Sequence, residues 1–283
     1  MPPLPPLLLK SGFSIPRLGL GVYQTPASTC PGIVSHALSV GYRHFDSATG
    51  YRNESACVDG IIASTVPRSD VFFTTKLPPK LRGYDMTKES INNILETIPG
   101  LEGYIDLYLI HAPYGTRDDR IGQWRAMVEA QKEGKIRSLG VSNYGIHHLE
   151  ELKNWQKSVA PEDAGILSVG QWEIHPWLMR KDIREWCEKE EVIVEAYCPL
   201  VRGQRWGEKK LVEVAEKYGK TQAQVLLKWS LQQGLVPLAK TIRNERVEEN
   251  FAVWDWELSE ADVKALETEE YNPCTWDPTK EPL

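Results

Sequence analysis

The chain has no apolar run approaching the ~20 residues that span a bilayer, so nothing in its 283 residues suggests a membrane partner. It has no basic excess either: 33 Lys and Arg stand against 39 Asp and Glu, a net charge of −6. A duplex-binding domain ordinarily carries a basic face, so nucleic acid is not an expected partner. A few local cations can still build an anion site on a mildly acidic protein. Cysteine is scarce. Cys30, Cys57, Cys187, Cys198 and Cys274 are odd in number, far apart and without a CxxC pair. That argues against a disulfide framework and against a structural zinc site, and a reducing cytoplasm is the expected compartment. The apolar start, residues 1–10, lacks a basic n-region and is interrupted by prolines, so it reads as mature protein rather than a signal peptide. Low-complexity tracts, long linkers and sequence repeats are also missing.

What is present is an ordinary globular composition, 41% hydrophobic and 25% charged, which excludes large-scale disorder. The length suits one α/β barrel of roughly 250 residues, and a single domain over 1–283 is expected. Two short apolar segments, 7–10 and 14–17, flank Ser11-Gly12 and predict an N-terminal β-hairpin. Eight further runs, 18–23, 44–48, 71–77, 105–112, 138–143, 168–174, 192–199 and 235–242, are mostly rich in Val, Ile, Leu, Phe or Tyr. Nearly continuous apolar runs suit strands buried on both faces, as in a parallel sheet. Amphipathic segments at 89–96, 121–133, 181–190, 208–218 and 221–233 lie between them, the last opening on the N-cap Thr221. Helix-sized crossovers between buried strands imply βαβ units. Eight units predict a closed (β/α)8 TIM barrel, with an open doubly wound sheet as the rival.

Functional side chains of such a barrel sit at the C-terminal ends of its strands. Here those ends carry Asp46 and Tyr51, Lys76, His111, Ser142 and Asn143, Gln171 and Glu173, Tyr197, and Lys240 and Thr241. Singly, each has a bland explanation: Asp as a turn or cap residue, Lys as a solvated tip, His as a hydrogen-bonded structural group. Together on one rim they describe a narrow chemistry. A phenol of pKa ~10 is a poor acid at neutral pH. A neighbouring ammonium lowers that value, a carboxylate fixes the ammonium, and a histidine orients a substrate oxygen. Such a set is a general acid for a developing alkoxide. It suits carbonyl reduction and requires no metal.

These residues sit in segments that resemble the aldo-keto reductase family. The segments are 41–54 (Gly-Tyr-Arg-His-Phe-Asp-Ser-Ala-Thr-Gly-Tyr-Arg-Asn-Glu), 134–143, 171–176 and 240–250, in matching order and spacing, and the resemblance extends over about 18–266. It implies that Asp46, Tyr51, Lys76 and His111 are a catalytic tetrad. In that reading Tyr51 protonates the carbonyl oxygen, Lys76 held by Asp46 acidifies the phenol, and His111 positions the substrate. The resemblance also implies NADPH/NADP+ as the cofactor. Ser142, Asn143 and Gln171 would hold the nicotinamide carboxamide, Tyr197 would stack on the ring, and Leu200 would lie along the pyrophosphate. Lys240, Thr241 and Arg246 would meet the 2′-phosphate, where charge-assisted bonds are strong, and Glu249 and Asn250 the adenine. Gly21, Val22 and Tyr23, ending the first strand, are expected beside the cofactor. The alternative for Arg246 and Glu249 is a helix-surface pair.

Departures from frequent family residues are Gly170 for Asn, Cys198 for Ser, and Ala112 and Pro78 where Trp is frequent. The last two should widen the pocket. A short 201–210 segment makes a long cofactor-covering loop doubtful and leaves Arg202 or Arg205 for the pyrophosphate. Trp172 is expected in the barrel wall, and Trp177 and Trp276 either at the substrate mouth or, as buried aromatics mostly are, in the core. Nothing in the neighbouring sequence marks Cys198 as a reactive thiolate. Three decoys fail. Gly19-Leu-Gly21 has Gln24 where a dinucleotide fingerprint needs glycine, Gly219-Lys-Thr221 has Val214 at the first glycine of a P-loop, and Tyr84–Lys88 lacks the glycine-rich loop of short-chain dehydrogenases. The expected activity is NADPH-dependent reduction of aldehydes, α-keto esters, keto-lactones or small ketones. Its rival is an NADPH-binding sensor without turnover. The chain is expected as a monomer, with a homodimer left open.

Overall fold

The computed structural model describes residues 3–283. Strands β1 (Leu7–Leu8) and β2 (Ser14–Ile15) pair antiparallel, as the turn signal predicts. The other eight are β3 (Gly19–Gly21), β4 (His44–Asp46), β5 (Phe72–Leu77), β6 (Ile105–Ile110), β7 (Ile136–Ser142), β8 (Leu167–Glu173), β9 (Ile193–Tyr197) and β10 (Val236–Lys240). They form a closed barrel in the order β10-β3-β4-β5-β6-β7-β8-β9, with every neighbouring pair parallel. The open-sheet rival is therefore excluded. Each strand lies in or against its expected run; β7 begins two residues before the expected 138.

The five expected helices are present, two with longer N-terminal turns: Gly83–Thr97 and Arg117–Lys132. The second starts at Thr116, whose hydroxyl accepts the Asp119 N–H while Asp119 Oδ2 accepts the Thr116 N–H at 2.8 Å, a reciprocal cap. Thr221 does the same with Gln224. Further helices at Cys30–Val40, Glu54–Ile62 and Ile146–Gln156 complete the crossovers, and another, Asn244–Phe251, follows the last strand. Their short lengths and interspersed Gly, Ser, His or Glu blur a helical period.

Alternation along each strand divides the core in two. Outward side chains such as Phe45, Phe73, Tyr108, Val141 and Trp172 are buried under the helices. Inward side chains form layers. Toward the hairpin, Phe72, Leu107, Leu109 and Val169 form one apolar cluster with Leu9 and with Ile15 of β2. Each such side chain contributes roughly 1.5–3 kcal/mol by leaving water. Above it the inward positions turn polar: His44, Thr74 and Glu195 are fully buried. This change from apolar floor to polar interior places the charged groups two residues further along the same strands, at the open rim.

Candidate active site

Lys76, at the rim end of β5, is fully buried. Its ammonium donates to both Asp46 carboxylate oxygens and to the Ser47 carbonyl, each at 2.7 Å. The Tyr51 hydroxyl lies 3.5 Å from Nζ. Tyr51 stands on a tight turn, Thr49–Tyr51, braced from beneath. Buried Glu54 accepts from the hydroxyls of Thr49 and Thr75, and Asn53 Nδ2 donates to the Val22 and Thr25 carbonyls at 2.7 and 2.9 Å. The contiguous motif from Asp46 to Glu54 is thus one mechanical unit that ties a phenol to three strand ends.

His111 follows β6, and its ring packs edge-on against Tyr51 with centroids 5.9 Å apart. Its Nδ1 is buried without a hydrogen-bond partner among the described residues. Burial, reinforced by the Lys76 ammonium, pushes the imidazole pKa down to about 3, so it is neutral at pH 7. The phenol behaves differently from expectation. Burial holds Tyr51 well above the ordinary phenol range, and the Asp46 carboxylate pushes the same way. The expected acidification by Lys76 is therefore corrected for the resting site. The ammonium's donors are already committed to Asp46 and Ser47, so the ion pair shows Tyr51 little net positive charge.

A cavity of about 740 Å³ opens over this cluster. Its walls include Asp46, Tyr51 and His111 of the expected tetrad, and Gly21, Tyr23, Ser142, Asn143, Gln171, Tyr197, Leu200, Lys240 and Arg246 of the expected cofactor set. Gln171 Nε2 donates to Asp46 Oδ2 at 2.8 Å and to Glu195 Oε2 at 2.9 Å. Its own side-chain carbonyl is left without a protein partner among the described residues. Asn143, at φ +61°, donates to the His111 carbonyl and accepts the Tyr197 hydroxyl at 2.8 Å. Lys240 and Arg246 line the same cavity, and neither has an acidic partner among the described residues. Two uncompensated cations in one wall fit a multiply charged anion.

Four expected cofactor residues do not line the cavity. Val22 is buried in the outer core, since it alternates with Gly21 and Tyr23; its side-chain assignment is corrected. Thr241 accepts the Arg243 N–H at 3.1 Å, the Glu249 carboxylate accepts the Thr221 hydroxyl at 2.8 Å, and Asn250 is buried. Glu249 pairs with Thr221, so the simple surface pair with Arg246 is not formed. Pro78 and Ala112 do not line the cavity either; aromatic Tyr23, Trp206 and Trp276 do. Trp172 is buried, and its indole fills the space a Cβ on Gly170 would need, which explains glycine there. Trp177 is 2% exposed and bonds Glu208, so it is a core residue, whereas Trp276 stands 5.7 Å from the His111 ring. Arg202 lines the cavity over the Tyr23 ring at 5.7 Å, while Arg205 pairs with Glu208 and Glu270.

Sequence reasoning missed the layer beneath the rim. Glu195, fully buried, accepts from Gln171 and lies 3.2 Å from His44 Nε2. The available signal was a lone charge in an apolar strand, two residues before Tyr197 and so on the same face. It also missed the anchoring of the C-terminal segment. Glu173 accepts the N–H groups of Cys274 and Thr275 at 2.6 and 3.1 Å. Arg180 donates to Tyr271, Thr279 and Asp277 at 2.6, 3.0 and 2.7 Å. These bonds hold Trp276 over His111.

A closed parallel barrel with a Tyr–Lys–Asp cluster and a histidine at its C-terminal rim defines a class of barrel oxidoreductase. A family profile described as Aldo/keto reductase family matches residues 17–269, and the chain belongs to that family. It is 40% identical over 281 residues to an uncharacterized oxidoreductase of Saccharomyces cerevisiae, covering 97% of this chain and 98% of that protein. It is 38% identical over 261 residues to the glyoxal reductase of Bacillus subtilis, covering 92% and 90%. Among solved structures, Gox0644 in a mutant form in complex with NADPH superposes with a TM-score of 0.87 at 29% identity, covering 99% of each chain.

Proposed function

We propose that this protein reduces small aldehydes and ketones with NADPH, with Tyr51 as the proton donor. The observation that carries the reading is the Tyr51 hydroxyl 3.5 Å from Lys76 Nζ, at the mouth of a cavity lined by two cations, Lys240 and Arg246, with no salt-bridge partner among the described residues. NADPH supplies the hydride when bound. Lys240 and Arg246 would hold the 2′-phosphate, and Ser142, Asn143 and Gln171 would hold the carboxamide. The Gln171 side-chain carbonyl, whose amide nitrogen is already engaged by Asp46 and Glu195, would accept from the carboxamide NH2. Tyr197, Leu200 and Arg202 line the same cavity, and Leu200 and Arg202 would lie along the pyrophosphate.

Neutral His111 offers an N–H to the carbonyl oxygen and sets its direction toward Tyr51. Tyr51 is fully protonated at neutral pH, so the acid form needs no priming. As negative charge develops on the substrate oxygen, Tyr51 donates its proton. Lys76 then stabilises the phenolate by shifting toward it from Asp46, which is how an ammonium already committed to a carboxylate assists without lowering the resting pKa. Aromatic Tyr23, Trp206 and Trp276 exclude water and favour compact carbonyl substrates. The glyoxal reductase relative makes α-dicarbonyls the first substrates to assay, followed by α-keto esters and keto-lactones.

The test is NADPH oxidation followed by absorbance with a carbonyl panel, on the wild type and Tyr51→Phe. The variant should lose about 10²–10⁴-fold in kcat with NADPH affinity retained. NADPH binding without turnover of any carbonyl by the wild type would favour the sensor reading instead. Full activity in Tyr51→Phe would remove Tyr51 as the acid.

A further inference from the structure

We infer that Glu195 is a positioning residue for the nicotinamide: together with Asp46 it holds the Gln171 amide in one orientation, so that the cavity wall presents a hydrogen-bond acceptor and selects a ring substituent that carries N–H. The inference rests on the NADPH reading above and names a residue outside the tetrad and outside the expected cofactor set. Glu195 stands on β9 and Gln171 on β8, and the two are direct partners in the parallel register. Facing residues of such a pair point to the same side of the sheet, here the barrel interior. Both are buried, Glu195 fully.

The Gln171 amide offers two hydrogens and one oxygen. Nε2 donates to Asp46 Oδ2 at 2.8 Å and to Glu195 Oε2 at 2.9 Å. Both hydrogens are spent inside the barrel, and the carbonyl oxygen is the group left for the cavity that Gln171 lines. Turning the amide over would set that oxygen against two carboxylates and take a donor from each, and bonds to charged acceptors are the strong ones. Asp46 alone would leave the amide free to swing about a single N–H···O axis. The second carboxylate fixes the amide plane, because two N–H directions are then set.

Glu195 is itself braced across the barrel. Its other oxygen, Oε1, lies 3.2 Å from His44 Nε2 on β4, which in turn lies 3.1 Å from Thr74 Oγ1 on β5. A pairing role with His44 alone would account for Oε1, but not for the bond that Oε2 accepts from Gln171. The amide also stands between two like charges. Burial drives the Asp46 carboxyl up, and the Glu195 charge adds to that, while Lys76 and the Gln171 amide oppose it. One side chain thus gives each carboxylate a donor and aims its own acceptor at the cofactor space.

The experiment is titration of tryptophan fluorescence with three ligands: NADP+, its acetylpyridine analogue, which keeps the carbonyl but lacks the NH2, and adenosine 2′,5′-bisphosphate, which lacks the nicotinamide. Wild type should bind NADP+ about 5–10-fold more tightly than the analogue, the worth of one hydrogen bond. Glu195→Met removes the acceptor at similar side-chain length. It should cut that preference to about twofold or less and leave the bisphosphate affinity within about twofold of wild type. Glu195→Gln keeps an acceptor in the same place and should retain most of the preference. In a Gln171→Met background the change at 195 should have no further effect on it. An undiminished preference in Glu195→Met, or a loss that persists in the Gln171→Met background, would overturn the inference. So would a wild type that does not distinguish the two dinucleotides, whether or not the variants fold. A wild type that distinguishes them but reduces no carbonyl would instead overturn the reductase reading and leave the role of Glu195 standing.

Discussion

Lys76→Met isolates the pair on which the site is built. The ammonium is fully buried and 2.7 Å from Asp46, whose side chain is 6% exposed. At that separation and an effective dielectric near 20, the attraction is about 6 kcal/mol, much of it offset by desolvation of both ions. Removing one partner leaves the other charged and buried, which costs about 3–5 kcal/mol. Asp46 would keep only the Gln171 amide on one oxygen. The loss should depend on pH with a definite sign. Burial already drives the Asp46 carboxyl up, with Lys76 pulling it back. Without Lys76 its folded pKa rises further above the unfolded value of ~3.9. A group raised on folding contributes stability below its unfolded pKa and loses it as pH rises. The deficit of Lys76→Met relative to wild type should therefore be largest near about pH 7 and shrink toward about pH 4. Urea denaturation across that range measures it. Adding Asp46→Asn should recover most of the loss at neutral pH, because no charge is then stranded. A deficit equal at every pH, with no recovery in the double variant, would refute the buried-pair account.

Three other outcomes follow from the same geometry. Arg246→Ala removes one of two unpartnered cations, worth about 1.5–3 kcal/mol for a charge-assisted bond. It should raise the KM for NADPH roughly 10–150-fold and leave NADH nearly unchanged; equal losses would exclude the 2′-phosphate role. The pH profile of kcat/KM for reduction should be flat through neutrality. Tyr51 loses its proton only above its raised pKa, beyond the usual ~10, and His111, pushed down to about 3, adds no acid limb near its ordinary value. A midpoint near neutrality would contradict both assignments. Arg180→Ala cuts three bonds to the C-terminal segment, each worth about 1 kcal/mol or more. Hydrogen exchange at 271–280 should rise by at least about 100-fold while the barrel strands stay protected; a parallel rise in the strands would mean that the segment is not held separately.

The amino-acid sequence alone specified the barrel, because eight two-sided apolar runs separated by helix-length crossovers have few other ways to close. It specified the rim residues for a similar reason: Asp46, Tyr51, Lys76 and His111 each stand where an apolar run ends, and strand order turns those ends into one ring. Only the folded chain decided what depends on distance and enclosure. The phenol's rise, rather than its fall, reflects its burial first and the neighbouring Asp46 carboxylate second. Val22, Thr241, Glu249 and Asn250 fell outside the cavity because motif proximity does not fix which way a side chain faces. Glu195 and His44 were hidden because a single charge inside an apolar strand acquires meaning only from the residues facing it across the barrel. The terminal segment that Glu173 and Arg180 anchor carries no periodic signal, so its place over the mouth was not legible either. Local pattern encodes elements and their order, whereas contact between remote side chains is settled by packing.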